Sequence, residues 1–169
     1  MNYRRFILGL LGAIAFSACA PVASPAEPQS MSNVQIRLSR GACFGFCPVY
    51  EVTISGNGDV HYEGRNFVNV VGERTATIPS EDVARLLARF DEVGFHHLRD
   101  SYRARISDLP TQSITLTRNG QTKTVVDYGG VDAGMPREVR ELEAEIDRVA
   151  GTAQWVLRDG QPVRDPPQP

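Results

Sequence analysis

Two short turns decide most of what this chain can become. Asn119-Gly120 lies between β-branched runs in TQSITLTRNGQTKTVVDYGG and is the strongest hairpin signal present. GNGD at 56–59 joins the run 49–55 to the run 60–63 in the same manner. A hairpin returns at once beside its own strand. Neither run can therefore open a thioredoxin-like parallel unit, which needs a helical crossover after its first strand.

Each hairpin region is followed by a change of period. Val34, Ile36 and Leu38 alternate as a half-buried strand, and 67–78 continues the β-branched pattern as one or two more strands. PSEDVARLLARFDEVGF then switches to helical spacing, with Ser80 as the expected N-cap. Glu81 and Asp82 occupy its first turn, and Val83, Leu86, Leu87 and Phe90 form its apolar face. MPREVRELEAEIDRVAG repeats this design, with Pro136 near the first turn, Val139, Leu142, Ile146 and Val149 inward, and Gly151 at the end. The two hairpins resemble each other, which fits a duplicated unit or simply the composition hairpins share. The expected fold is α+β: a mainly antiparallel sheet of about five to six strands, two amphipathic helices on one face, and Trp155 sealing an edge.

The first residues follow a different logic. Arg4 and Arg5 precede an apolar run over 6–16 and then small residues, the layout of an export signal. That run falls well short of the ~20 residues a spanning helix needs. Phe16-Ser17-Ala18-Cys19 resembles the bacterial lipobox, with Phe16 where Leu is usual; the alternative is a plain signal peptide with Cys19 an incidental thiol. By that resemblance, residues 1–18 are a lipoprotein signal peptide and Cys19 is lipidated, its acyl chains being the membrane contact. Ala20 in place of an Asp points to the outer membrane of a Gram-negative cell. Removing 1–18 takes away two arginines and no acid, so the formal charge moves from −2 to −4. No basic footprint for nucleic acid exists.

Composition completes the partition. Residues 19–33 are rich in Ala, Pro and Ser and read as a tether; 158–169 read as a disordered Pro-rich tail. Between them, 34–157 form a single domain, which 41% hydrophobic residues suffice to fill.

Chemistry has one visible candidate, CFGFCPVY at 43–50. A Cys43–Cys47 disulfide in an oxidising compartment would staple the loop, with Gly45 giving the backbone freedom and Pro48 keeping Cys47 extended. A redox couple would need a depressed thiol pKa, and no helix dipole lies nearby. The CxxxCP spacing also resembles the copper-delivery Sco proteins, with His61, His96 and His97 as possible third ligands, although the fold pattern differs from theirs. His96 and His97 are adjacent and point to opposite faces on an extended chain. Glu51, Asp100, Asp108 and Asp127 have no paired spacing and read as solvated loop acids. No serine elbow, P-loop, HExxH or dinucleotide fingerprint occurs, so no catalytic residue, metal or cofactor is expected.

CFGFCPVYEVTISGNGDVHYEG, IPSEDVARLLARFDEVGFHHLRDSY, SDLPTQSITL, TVVDYGG and LEAEIDRVAGTAQWV together resemble domain of unknown function 6438, a family of bacterial envelope proteins and predicted lipoproteins. The likeness covers roughly 34–156, and Cys-Phe-Gly-x-Cys-Pro-x-Tyr is its most specific element. Phe46 stands at x, where a smaller polar residue is expected. The resemblance implies one α+β domain around the cysteine loop and carries no catalytic residues. The chain thus reads as an outer-membrane lipoprotein presenting a disulfide-stapled domain to the periplasm. Its role is non-enzymatic binding or scaffolding, with an envelope protein meeting Phe44, Phe46 and Tyr50. The alternative is a thiol redox or copper-handling protein using Cys43 and Cys47.

Overall fold

The computed structural model describes residues 31–165. A 3-10 turn at Met31–Asn33 leads into β1 (Gln35–Arg40), β2 (Val49–Ser55), β3 (Asp59–Asn66) and β4 (Gly72–Thr77). Helix α1 (Ser80–Glu92) and a one-turn 3-10 helix at Phe95–His97 precede β5 (Ser101–Arg103), β6 (Gln112–Arg118) and β7 (Gln121–Tyr128). Helices α2 (Arg137–Ala150) and α3 (Ala153–Val156) follow, then β8 (Leu157–Arg158) and β9 (Gln161–Pro162).

Seven strands form one sheet in the order β4-β3-β2-β1-β6-β7-β5. Every pairing in it is antiparallel except β5 with β7. Both expected hairpins are present. At the β6–β7 turn Asn119 and Gly120 have φ of 54° and 73°, the two left-handed residues a type I′ turn requires. Alternation sets the two faces. Ile36, Leu38, Val52, Ile54, Val60, Tyr62, Ile114, Leu116 and Val125 are buried together with Val83, Leu86 and Phe90 of α1 and Val139, Leu142 and Ile146 of α2 in one core. The opposite face carries residues such as Arg37, Thr53, His61, Thr115 and Thr124; the last two share a cross-strand hydroxyl bond of 2.8 Å.

The architecture is α+β as expected, but the sheet has seven strands rather than five or six, and there are three helices rather than two. The additions are the pieces too short to show a period. β5 has three residues, of which only Tyr102 is buried, and α3 is a single turn. Trp155, expected at a sheet edge, lies in α3 and packs on Tyr62 of β3 with ring centroids 5.0 Å apart, one strand in from the edge. Beyond 157, expected as disordered, β8 and β9 pair as a small hairpin that delivers Val163 into a buried position. Ser80 is not the N-cap of α1; Pro79 occupies that place with an extended ψ of 138°, and Pro136 does the same for α2 at 139°. An N-cap needs β-region dihedrals, and proline's fixed φ supplies them without a side-chain bond. Gly151 ends α2 in the left-handed conformation, as its position predicts.

This topology brings two long loops to one end of the sheet. Loop 41–48 leaves β1, and loop 104–111 enters β6 beside it. Gly41 donates to the Thr111 carbonyl at 2.7 Å, and Phe44 donates to that of Asp108 at 3.3 Å. The chain enters the domain at the other end. There Gly56, in the β2–β3 turn, lies so close to Met31 that an added Cβ would sit 1.8 Å from the Met31 carbonyl oxygen.

Candidate functional site

Cys43 and Cys47 are joined as a disulfide with Cα atoms 5.7 Å apart. Gly45 donates to the Cys43 carbonyl at 3.0 Å inside the closed loop. This geometry holds Phe44 out into solvent at 88% exposure and Phe46 at 57%. Phe46 also meets Phe67 edge-on, with ring centroids 5.5 Å apart, tying the cysteine loop to the β3–β4 loop. Replacing both cysteines by serine should cost about 2 kcal/mol by loop-closure entropy for so short a loop, read from urea unfolding. An unchanged midpoint would mean that the Gly41 and Phe44 backbone bonds already fix the loop.

Tyr50 does not belong to this exposed surface. It is 5% exposed, because the parity that buries Val52 and Ile54 buries it as well. The histidines are elsewhere. His61 faces out of β3 beside Glu73, and His96 and His97 occupy the turn after α1. Among the described residues, no three His, Cys, Asp or Glu side chains come together as a metal site. Cys19 lies outside the described residues.

Beneath the loop is a cleft of about 190 Å³ lined by Arg40, Gly41, Cys47, Pro48, Pro110 and Gln112. Its Arg40 leads into a charge cluster that is buried at Asp127 and Glu143 and part-buried at Arg40 and Asp147. Arg40 Nε and Nη2 donate to Asp147 Oδ2 at 2.9 and 2.7 Å, and Nη1 donates to Gln112 Oε1. Asp147 Oδ1 accepts the hydroxyls of Tyr50 at 2.7 Å and Thr152 at 2.8 Å. A second pair adjoins it: Arg140 Nε and Nη2 donate to Asp127 Oδ2 and Oδ1 at 3.0 and 3.3 Å, and Gly130 N–H donates to Asp127 at 2.6 Å. Glu143, 3% exposed, completes the cluster. Its Oε2 is 3.9 Å from Arg40 Nη1, and its Oε1 has no partner.

Electrostatics follow from this placement. Burial pushes the Glu143 carboxyl up to about 7; Arg40 opposes the shift and the Asp127 and Asp147 charges add to it. Burial also raises the Tyr50 phenol, and Asp147 beside it raises it further. For Arg40, burial is the largest single influence and lowers the pKa, but Asp147, Tyr50 and Glu143 together outweigh it, so the guanidinium is held more firmly charged than usual.

No spacing in the sequence points to this cluster, and Asp127, which reads there as a solvated loop acid, lies within it. Asp127 is 1% exposed, on the inward parity of β7 with Val125. Glu143 also had a signal. Four residues after Val139 and three before Ile146, it falls inside the apolar stripe of α2.

Residues 34–150 match the model of Domain of unknown function (DUF6438). The chain belongs to this family. The matched span runs from the residue before β1 to the last residue of α2, so it takes in the cysteine loop, Arg40, Asp127, Arg140, Glu143 and Asp147. Thr152 and α3 fall beyond it. No curated protein matches the chain. Among the described residues, no helix is long and apolar enough to cross a membrane.

Proposed function

We propose that the protein is a bacterial envelope lipoprotein, anchored through Cys19 in the outer membrane and facing the periplasm. On this reading the domain is a non-enzymatic binding module, and it engages an envelope protein partner through Phe44 and Phe46. The observation that carries the proposal is Phe44 at 88% exposure on a loop closed by a disulfide. A large aromatic exposed to water gains nothing for folding, and the closed loop has already ordered the backbone that carries it, which lowers the entropy still to be lost on binding and suits an anchor residue. The direction of the chain supports the same reading. It enters at the Met31–Gly56 end, so the loop sits at the far end of the sheet from the tether.

Phe44→Ser should reduce partner capture about tenfold, the loss that follows from ~1.4 kcal/mol at an interface anchor, while leaving thermal unfolding unchanged. The measurement is photo-crosslinking of the full chain in the cell envelope from a probe placed beside residue 44. Equal adduct yields for wild type and variant would overturn the reading.

A further inference from the structure

We propose that Glu143 is a proton-binding site inside the fold, and that its protonation state is transmitted through Arg40 to the cysteine loop. The argument starts from charge and geometry. Two arginines, Arg40 and Arg140, face three carboxylates, Asp127, Glu143 and Asp147. Arg40 commits two nitrogens to Asp147 and the third to Gln112, while Arg140 commits its pair to Asp127. Each aspartate therefore has its own arginine. Glu143 has none within hydrogen-bond range, and its Oε1 is buried without any partner.

Ionised, Glu143 would add a third negative charge where only two positive charges exist. Protonated, it leaves the cluster neutral. A buried carboxylate with one oxygen unpartnered and its nearest cation 3.9 Å away and already committed is costly to ionise, so the site takes up a proton instead. The groups around it do not change this balance. Arg40 comes from β1, neutral Tyr50 from β2, Asp127 from β7, and Arg140 and Asp147 from α2 itself. From α1, the other element packed on α2, Arg89 is bound to Glu92 and Glu145. The rise of the Glu143 carboxyl to about 7 agrees with this count.

The route to the loop is short. Arg40 is the last residue of β1, three residues before Cys43, and it lines the cleft together with Gln112 and Cys47. When Glu143 releases its proton to solvent, the new carboxylate competes with the Gln112 oxygen for Arg40 Nη1. The guanidinium then turns away from the cleft floor, loosening the contact between loop 41–48 and the start of β6. That this loop is the binding surface rests on the function proposed above; the proton site and its transmission do not.

The test is a pH titration of the isotope-labelled full chain by NMR between pH 5.5 and 8.5. The Glu143 carboxyl carbon should titrate near 7. The Arg40 Nε and the amides of Cys43, Phe44 and Phe46 should shift with the same midpoint, and that shift should be lost in Glu143→Gln. Every other titrating group remains in the variant and supplies its background. A Glu143 carbon that stays ionised throughout would overturn the proton site, and this reading needs no variant. Loop amides that stay still while Glu143 titrates, or that titrate identically in Glu143→Gln, would overturn the transmission. Loss of crosslinking in Phe44→Ser with a silent titration would leave the binding reading standing and remove this one.

Discussion

Asp147→Ala is expected to destabilise the domain by about 3 kcal/mol, the low end of the range for removing one partner from a buried ion pair, because the Arg40–Asp147 pair is part-buried. Asp147 is the one carboxylate in the cluster whose oxygens are both fully used. Oδ2 holds two nitrogens of Arg40, and Oδ1 holds the hydroxyls of Tyr50 and Thr152. Its loss leaves a part-buried guanidinium with Gln112 and a distant Glu143, and it strands the buried Tyr50 phenol, while Thr152 keeps the backbone carbonyl of residue 147 at 3.4 Å. Each stranded polar group costs about 1–3 kcal/mol. The cavity is too small a part of the change to set the sign. Asp147→Asn should lie between variant and wild type, because its amide oxygen still accepts from Tyr50 or Thr152 while the charge on Arg40 goes unmatched. Urea unfolding measures both, with an unchanged denaturant slope marking a true stability change. A loss below about 1 kcal/mol for the alanine variant would mean that Glu143 takes over Arg40, and the cluster would then be far more plastic than its geometry implies.

The hairpins and the two long helices were legible because their signals are local. Asn119-Gly120 requires two left-handed residues, and α1 and α2 each repeat an apolar stripe over three turns or more. What escaped the sequence is non-local or too brief. Arg40 and Asp147 are 107 positions apart, and Tyr50 and Asp147 are 97 apart, so no spacing rule relates them. β5 and α3 carry too few residues to display a period. Some misses were readable after all. Tyr50 shares parity with Val52 and Ile54, so its burial is implicit in the pattern of β2, which sets it apart from Phe44. Asp127 stands in the same relation to Val125. Glu143 sits on the same face of α2 as Val139, Leu142 and Ile146. In all three cases, a polar or amphipathic residue on a buried parity was the signal, and it marks the site better than the exposed histidines did.

The stability of the wild-type domain should fall by about 3 kcal/mol as pH rises from ~4.5 to ~7, through the contribution of Glu143 alone. The sign follows from the direction of the shift. Glu143 ionises near 4.5 in the unfolded chain and near 7 in the folded one. Between those values the folded state holds a proton that the unfolded state lacks, so raising the pH favours unfolding. Below that window both states are protonated and above it both are ionised, so the contribution is flat at each end. Glu143→Gln removes the titration but keeps the shape and the neutral polarity of the protonated acid. The difference between the two proteins therefore isolates this group from every other carboxylate. At pH 5 the variant should match wild type within about 1 kcal/mol, and at pH 8 it should be the more stable by about 3 kcal/mol. Urea unfolding at pH 5, 6, 7 and 8 on both proteins gives the two profiles. If they run parallel, Glu143 carries its charge in the fold, and Arg40 must be shared between two ionised carboxylates instead of serving one.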